Sequence, residues 1–280
     1  MVRPRFVPLL VLSLSLTGVP LARAANWATT VIQYSPGTIF TPPPYFGAPG
    51  AINVAYSNYP TADVLNGLTA DTTYGILTPF NAVFDAGQMV GVGAGGSLTL
   101  QFSTPVRTNG FTIGIHTGIG LNDSDYPNGT TGTPATIYND YGHFANIEVS
   151  ANGTSWTSLG GFDLNNPSNF YATGITTPDH QTSDPGGIPA DVEKPFLGNL
   201  ASFDNKAWPD ILTLLDGSAG GNWIDLSGSG LPAVSYIRFT EPAGSILYVD
   251  GVVGLSAPEP ASLGVMIIGA TALLARRRRA

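Results

Sequence analysis

The sequence predicts an all-β protein, an antiparallel β-sandwich with one short helix. Three observations predict it. Short segments alternate apolar and polar residues with a period of two, which is the mark of a strand with one buried face. Glycine (35 residues) and proline (23 residues) punctuate those segments, as many strands joined by tight turns require. Helical patterns between the strands are almost absent, so the strands pair with antiparallel neighbours rather than through βαβ crossovers.

Each element has its own warrant. In "GSLTLQFSTPV" (96–106), Leu98, Leu100 and Phe102 alternate with Ser97, Thr99 and Gln101, one face dry and one wet. "NGFTIGIHTG" (109–118) repeats the pattern with Phe111, Ile113 and Ile115. "HFANIEVSANGTSWTSLGGF" (143–162) offers two strands around Asn152-Gly153, the favoured pair for a type I′ turn because both residues accept positive φ. "AWPDILTLLDGSAGG" (207–221) reads as the helix: Pro209 and Asp210 start it, Ile211, Leu212, Leu214 and Leu215 supply its apolar side, and Gly217 stops it. A further helical turn is expected near residues 62–65. Residues 163–205 are loop-rich, and an insertion of that kind is expected at one end of the sandwich. "AVSYIRFTEPAGSILYVDGVVGL" (233–255) closes the series with two strands about a Pro-Ala-Gly turn.

The ends read as processing segments. Residues 1–24 carry Arg3 and Arg5, an apolar stretch from Phe6 to Leu16, and Ala22 and Ala24 in an A-x-A cleavage pattern, the layout of a secretory signal peptide. Residues 25–256 form the expected β-sandwich domain. Residues 257–280 contain Pro258-Glu259-Pro260, held extended by its two prolines. A hydrophobic helix follows over 261–275. Its fifteen uncharged residues reach roughly 22 Å against a hydrocarbon core of about 30 Å, so it is a marginal membrane span. Arg276, Arg277, Arg278 and Arg279 then hold the end on the cytoplasmic side.

Removing those ends changes the charge. Between residues 25 and 257, four bases (Arg107, Lys194, Lys206, Arg238) face eighteen acids, a net charge of −14. Such a surface repels nucleic acid and anionic lipid, so neither is an expected partner. The chain has no cysteine, so an exported form is held by its core or by bound metal rather than by disulfides.

"PEPASLGVMIIGATALLARRRR" closely resembles the PEP-CTERM sorting signal, matching its motif, short span and arginine cluster in order. The resemblance implies an exported bacterial protein. It is carried by the secretion translocon, inserted transiently in the inner membrane, processed near the Pro-Glu-Pro by an exosortase-type membrane enzyme, and delivered to the cell surface or extracellular matrix. Carriers typically belong to bacteria that make exopolysaccharide, which is thereby a candidate partner. The competing reading of the tail is a plain membrane anchor. The body resembles the galactose-binding-like (discoidin-like) jelly roll through Glu148-Val149-Ser150, Asn152-Gly153, Trp156, Tyr236-Ile237-Arg238 and Asp250. That likeness implies a jelly-roll fold with Trp156 as a core or sheet-edge plug, and several carriers of the fold bind carbohydrate.

Motifs for chemistry are sparse. "GVGAGG" (91–96) satisfies G-x-G-x-x-G, but a strand follows it where a dinucleotide loop needs a helix, so it reads as a turn. "NDSDYPNG" (122–129) sets Asp123, Asp125 and Asn128 in a glycine-ended loop, an oxygen-rich set that suits Ca2+, against the plainer reading of a solvated turn. No other cofactor is expected. His116, His143 and His180 share no metal spacing, and no nucleophile elbow is present. Trp208, Trp223, Tyr126, Tyr138 and Tyr141 are candidates for stacking on sugar rings. The expected function is a non-catalytic structural or carbohydrate-contacting module of the cell surface. A secreted glycan-active enzyme is the alternative, since numerous carboxylates leave a hydrolytic pair open.

Overall fold

The structure, a computed structural model, describes residues 25–38, 76–82, 89–138, 143–178, 187–242 and 244–257. The leader with Ala22 and Ala24, the helical turn at 62–65, Tyr141, His180, and the tail with Pro258, Glu259, Pro260 and Arg276 to Arg279 lie outside these residues. Among the described residues, no helix is long and apolar enough to cross a membrane.

The described chain is mostly β, with antiparallel sheets and one α-helix. Eleven strands run in order: β1 (Thr30–Ser35), β2 (Val90–Val92), β3 (Ser97–Val106), β4 (Phe111–Thr117), β5 (Gly120–Leu121), β6 (Ile137–Tyr138), β7 (Phe144–Ser150), β8 (Thr157–Asp163), β9 (Asn222–Asp225), β10 (Val234–Thr240) and β11 (Leu247–Gly254). One sheet has the order β1-β3-β10-β7-β8, a second has β2-β11-β4-β9, and β5 pairs with β6. Every ladder is antiparallel.

The two large sheets face each other across one core. Leu98, Leu100 and Phe102 of β3, Ile147 and Val149 of β7, and Ile237 and Phe239 of β10 meet Ile113 and Ile115 of β4, Ile224 of β9, and Leu247, Val249 and Val252 of β11. The alternation read in β3 is thus the inner face of the five-stranded sheet. In β4 the same reading holds for Ile113 and Ile115, but Phe111 is 42% exposed. The ladder between β4 and β9 shifts register between Phe111 and Ile113, and a one-step slip moves a side chain off the shared face.

Two further expectations are overturned. The β7–β8 connection is not a two-residue type I′ turn. It runs from residue 151 to 156, and of the pair only Gly153 has positive φ (75°). Side chains shape it instead: Asn152 Oδ1 accepts the Thr154 and Ser155 amides, each at 2.9 Å, and Ser150 Oγ accepts the Gly153 amide at 2.9 Å.

The loop-rich insertion does not sit at one end of the sandwich. Together with residues 76–82 and the helix, its described residues cover the outer face of the four-stranded sheet. Phe80, Phe196, Phe203, Trp208, Ile211 and Leu215 pack there with Trp223 of β9 and Val253 of β11. β11 is consequently buried along its whole length. The helix, α1 (Trp208–Leu215), turns Trp208, Ile211 and Leu215 into this layer at the three- and four-residue spacing of one helical face. Asp216 (φ 49°) and Gly217 (φ 78°) end it in left-handed geometry. Backbone donors fasten the layer down: the Asn166 backbone N–H donates to Asn222 Oδ1 at 3.0 Å, and the Gly221 N–H donates to the Pro167 carbonyl at 2.9 Å. The approach is close at Gly114 of β4, where a Cβ would lie 2.8 Å from the Trp223 ring.

Candidate functional site

The C-terminal exit is the place where the described fold meets residues 258–280. Beyond β11 the chain stays bonded to the β3–β4 corner. Leu255 N–H donates to the Thr112 carbonyl (2.8 Å), Arg107 N–H to the Leu255 carbonyl (2.9 Å), and Ala257 N–H to the Pro105 carbonyl (2.8 Å). Ser256 bridges to Val106. The last described hydrogen bond is therefore one residue short of Pro258.

A groove of about 460 Å³ opens beside this exit, lined by Arg107, Asp191, Glu193, Lys194, Leu255 and Ser256 among others. Its charges are unevenly engaged. Lys194 Nζ pairs with Asp216 Oδ2 at 2.6 Å, and that hydrogen bond and charge hold the Asp216 carboxyl below the usual carboxylate range. Asp191 Oδ1 accepts the Glu193 amide (2.9 Å), and Glu193 Oε1 accepts the Asn26 amide (3.3 Å). The mixture suits a polar peptide segment better than a simple anion, because two carboxylates line the same wall as Arg107.

The 122–130 loop brings Asp123, Asp125 and Asn128 into one turn, but the Asp123 carboxylate has another task. Oδ1 accepts the Asp125 and Thr130 amides, each at 2.8 Å, and Oδ2 accepts the Gly129 amide at 2.9 Å. A carboxylate that gathers three backbone donors closes the loop by itself. Among the described residues, no group of three His, Asp or Glu side chains converges on a metal position. Asp123→Ala is expected to cost about 1–3 kcal/mol in urea unfolding, because three donors lose their acceptor. Asp125→Ala and Asn128→Ala are expected to stay within about 0.5 kcal/mol of the parent. A Ca2+ site would make all three costly in Ca2+-containing buffer.

His116 and Ser168 form a contact that the sequence does not reveal. Nδ1 lies 2.9 Å from Ser168 Oγ, both residues are buried, and Trp27 meets the imidazole edge-on at 5.9 Å. Burial pushes the imidazole down to about 4, so it is neutral through the physiological range. Its Nε2 is buried with no hydrogen-bond partner. Behind it, a Cβ on Gly221 would lie 2.8 Å from Nδ1, so the backbone seals that side. His143 is also buried, its ring 6.1 Å from that of Tyr248.

Glu241, at the end of β10, is 1% exposed. Ser245 Oγ donates to its Oε2, while Oε1 has no hydrogen-bond partner. Burial raises this carboxyl to about 7 against the opposing effect of the Ser245 bond. Its backbone pairs with the glycine turn: Glu241 N–H donates to the Gly96 carbonyl at 3.1 Å, and Gly95 N–H to the Glu241 carbonyl at 3.0 Å. Of the "GVGAGG" glycines, Gly91 lies in β2, and Gly93, Gly95 and Gly96 form the turn between β2 and β3. The sequence signal for Glu241 was a lone acid ending an apolar strand with serine four residues on.

Of the stacking candidates, Trp208 and Trp223 belong to the core. They are 3% and 7% exposed, and their indole N–H groups donate at 3.0 Å to the carbonyls of Ile175 and Gly220. Tyr138 is half-buried and donates to the Phe80 carbonyl at 2.7 Å. Tyr126 is 59% exposed. Trp156, expected as a plug, is half-buried under Arg238, whose guanidinium lies 4.2 Å from the ring centroid and 2.7 Å from Glu148 Oε2. No family model matches this chain, and neither does any curated protein.

Proposed function

We propose that the chain is an exported bacterial cell-surface or extracellular-matrix protein. It is processed near Pro258-Glu259-Pro260 by an exosortase-type membrane enzyme, and its body is a non-catalytic structural or carbohydrate-contacting module of galactose-binding-like jelly-roll type. The observation that carries this reading is where the body ends. Backbone pairing to the β3–β4 corner runs to Ala257, and the Pro-Glu-Pro, apolar run and arginine cluster follow at once. Loss of the tail therefore removes none of the described packing. Packing of Trp208 and Trp223 in the core, and burial of the His116–Ser168 pair, favour a scaffold over a sugar-stacking or hydrolytic site.

The test is replacement of Pro258, Glu259 and Pro260 by alanine in the native host. The expected result is full-length chain retained in the membrane fraction, with the processed form lost. Normal release of the altered protein would overturn the reading.

A further inference from the structure

We propose that Asn109-Gly110 is a covalent modification site: it deamidates spontaneously in the folded protein, while Asn128-Gly129 and Asn152-Gly153 are held from the same reaction. In this chemistry the amide nitrogen of the following residue attacks the asparagine Cγ. The Cγ–Nδ2 bond breaks, and ammonia leaves with the proton released by the attacking nitrogen. A five-membered succinimide forms, which water opens to aspartate or isoaspartate. Glycine favours the attack because it has no Cβ to block it. Two conditions must be met: the side chain must be free to swing onto the next nitrogen, and that N–H must not be fixed elsewhere.

Asn152-Gly153 fails both conditions, Asn128-Gly129 fails the second, and Asn109-Gly110 meets both. Asn109 is exposed in the corner between β3 and β4, where the chain passes from one sheet to the other. No hydrogen bond engages its side chain or the Gly110 N–H among the described residues, and nothing lies within 4 Å of where a Gly110 Cβ would stand. The bonds around residues 107–110 are Arg107 N–H to the Leu255 carbonyl (2.9 Å), Thr108 Oγ1 to the Leu231 carbonyl (2.8 Å) and Leu226 N–H to the Gly110 carbonyl (3.0 Å), and none of them uses either reacting group.

Asn152 is the reverse. Its Oδ1 accepts from Thr154 N, Thr154 Oγ1 and Ser155 N, each at 2.9 Å, while Ser150 Oγ holds the Gly153 N–H. At Asn128 the Gly129 N–H is held by Asp123 Oδ2 at 2.9 Å, and Gly129 is packed against Pro178 so closely that a Cβ would lie 2.2 Å from it. Asn66-Gly67 lies outside the described residues. The product at position 109 places a new carboxylate two residues from Arg107 and its groove. The isoaspartate form also lengthens the main chain by one carbon inside the turn.

The test is incubation of the purified full chain at mildly alkaline pH, followed by peptide mapping that separates Asn, Asp and isoAsp at the three positions. Folded, Asn109 is expected to convert about tenfold or more faster than Asn152, the factor that follows if one or two net hydrogen bonds must open first. In denaturant the rates are expected to converge. Ser150→Ala, which releases the Gly153 N–H, is expected to raise the Asn152 rate and leave the Asn109 rate unchanged. Equal rates at Asn109 and Asn152 in the folded chain, or suppression of both by the same factor relative to denaturant, would overturn the proposal.

Discussion

Glu241→Gln is expected to convert a level stability profile between pH 4.5 and 6.5 into one that rises steeply with pH. Two buried groups oppose each other in that window. Glu241 titrates near 4.5 when unfolded and at about 7 when folded. The native state holds its proton more tightly, so its contribution is fully present below 4.5 and is lost as pH climbs to about 7. His116 titrates near 6.5 when unfolded and at about 4 when folded. There the unfolded chain binds the extra proton, so its contribution is fully present above 6.5 and is lost as pH falls to about 4.

One group pulls stability down with rising pH and the other pulls it up, by comparable amounts. Across these two pH units each changes by roughly 2 kcal/mol, below the full two units at about 1.4 kcal/mol each because each group is only partly titrated at the edges of the window. Glutamine at 241 keeps the neutral shape but cannot titrate, so the His116 limb stands alone. Asp216 and Asp225 are drawn below the usual carboxylate range, so their contributions fall at lower pH and do not enter this window. Urea titrations at several pH values read the result directly. A Glu241→Gln profile as level as the parent's would show that the two buried groups do not titrate as their surroundings dictate.

Trp208→Ala is expected to destabilise the whole body by about 3–5 kcal/mol, as much as truncating an aromatic ring between the two sheets. Trp208 is 3% exposed, meets Phe80 edge-on at 6.4 Å, and donates its indole N–H to Ile175 at 3.0 Å. A residue on a peripheral loop would cost far less. Trp208→Phe keeps most of the ring but orphans the Ile175 carbonyl, so it should fall near the lower end, about 1–3 kcal/mol. The unfolding transition should stay single, because β11 is buried on both faces and belongs to both layers. A two-step transition, with the insertion melting first and the sheets intact, would show that the outer layer is not part of the core.

The elements were legible where the information is local. Alternation in β3 needs only a period of two, and Leu98, Leu100 and Phe102 are buried as that period requires. The helix was legible from Pro209, Asp210 and Gly217, because helix ends are governed by backbone groups a few residues away. The Asn152-Gly153 turn was misread because Ser150 and Asn152 side chains compete for the backbone donors that a two-residue turn would leave paired across the strands.

The candidate sites were less legible. Asp123 was picked out by residue type, yet its carboxylate faces amides six and seven residues on. His116 and Ser168 lie 52 positions apart, and neither has a neighbour in the chain that announces the other.

Period and turn residues are written in the order of the amino acids, and no folding is needed to read them. Which faces are wet is not written there. Thr112, Gly114 and His116 alternate with the inner residues of β4 as a solvent face would, yet all three are buried, because residues from 76–82, 164–178 and 187–221 fold over that face. Burial is a property of what arrives from elsewhere. The neutral imidazole, the protonated carboxyl of Glu241 and the groove beside Arg107 all follow from contacts between segments tens of residues apart, and periodicity carries no record of those.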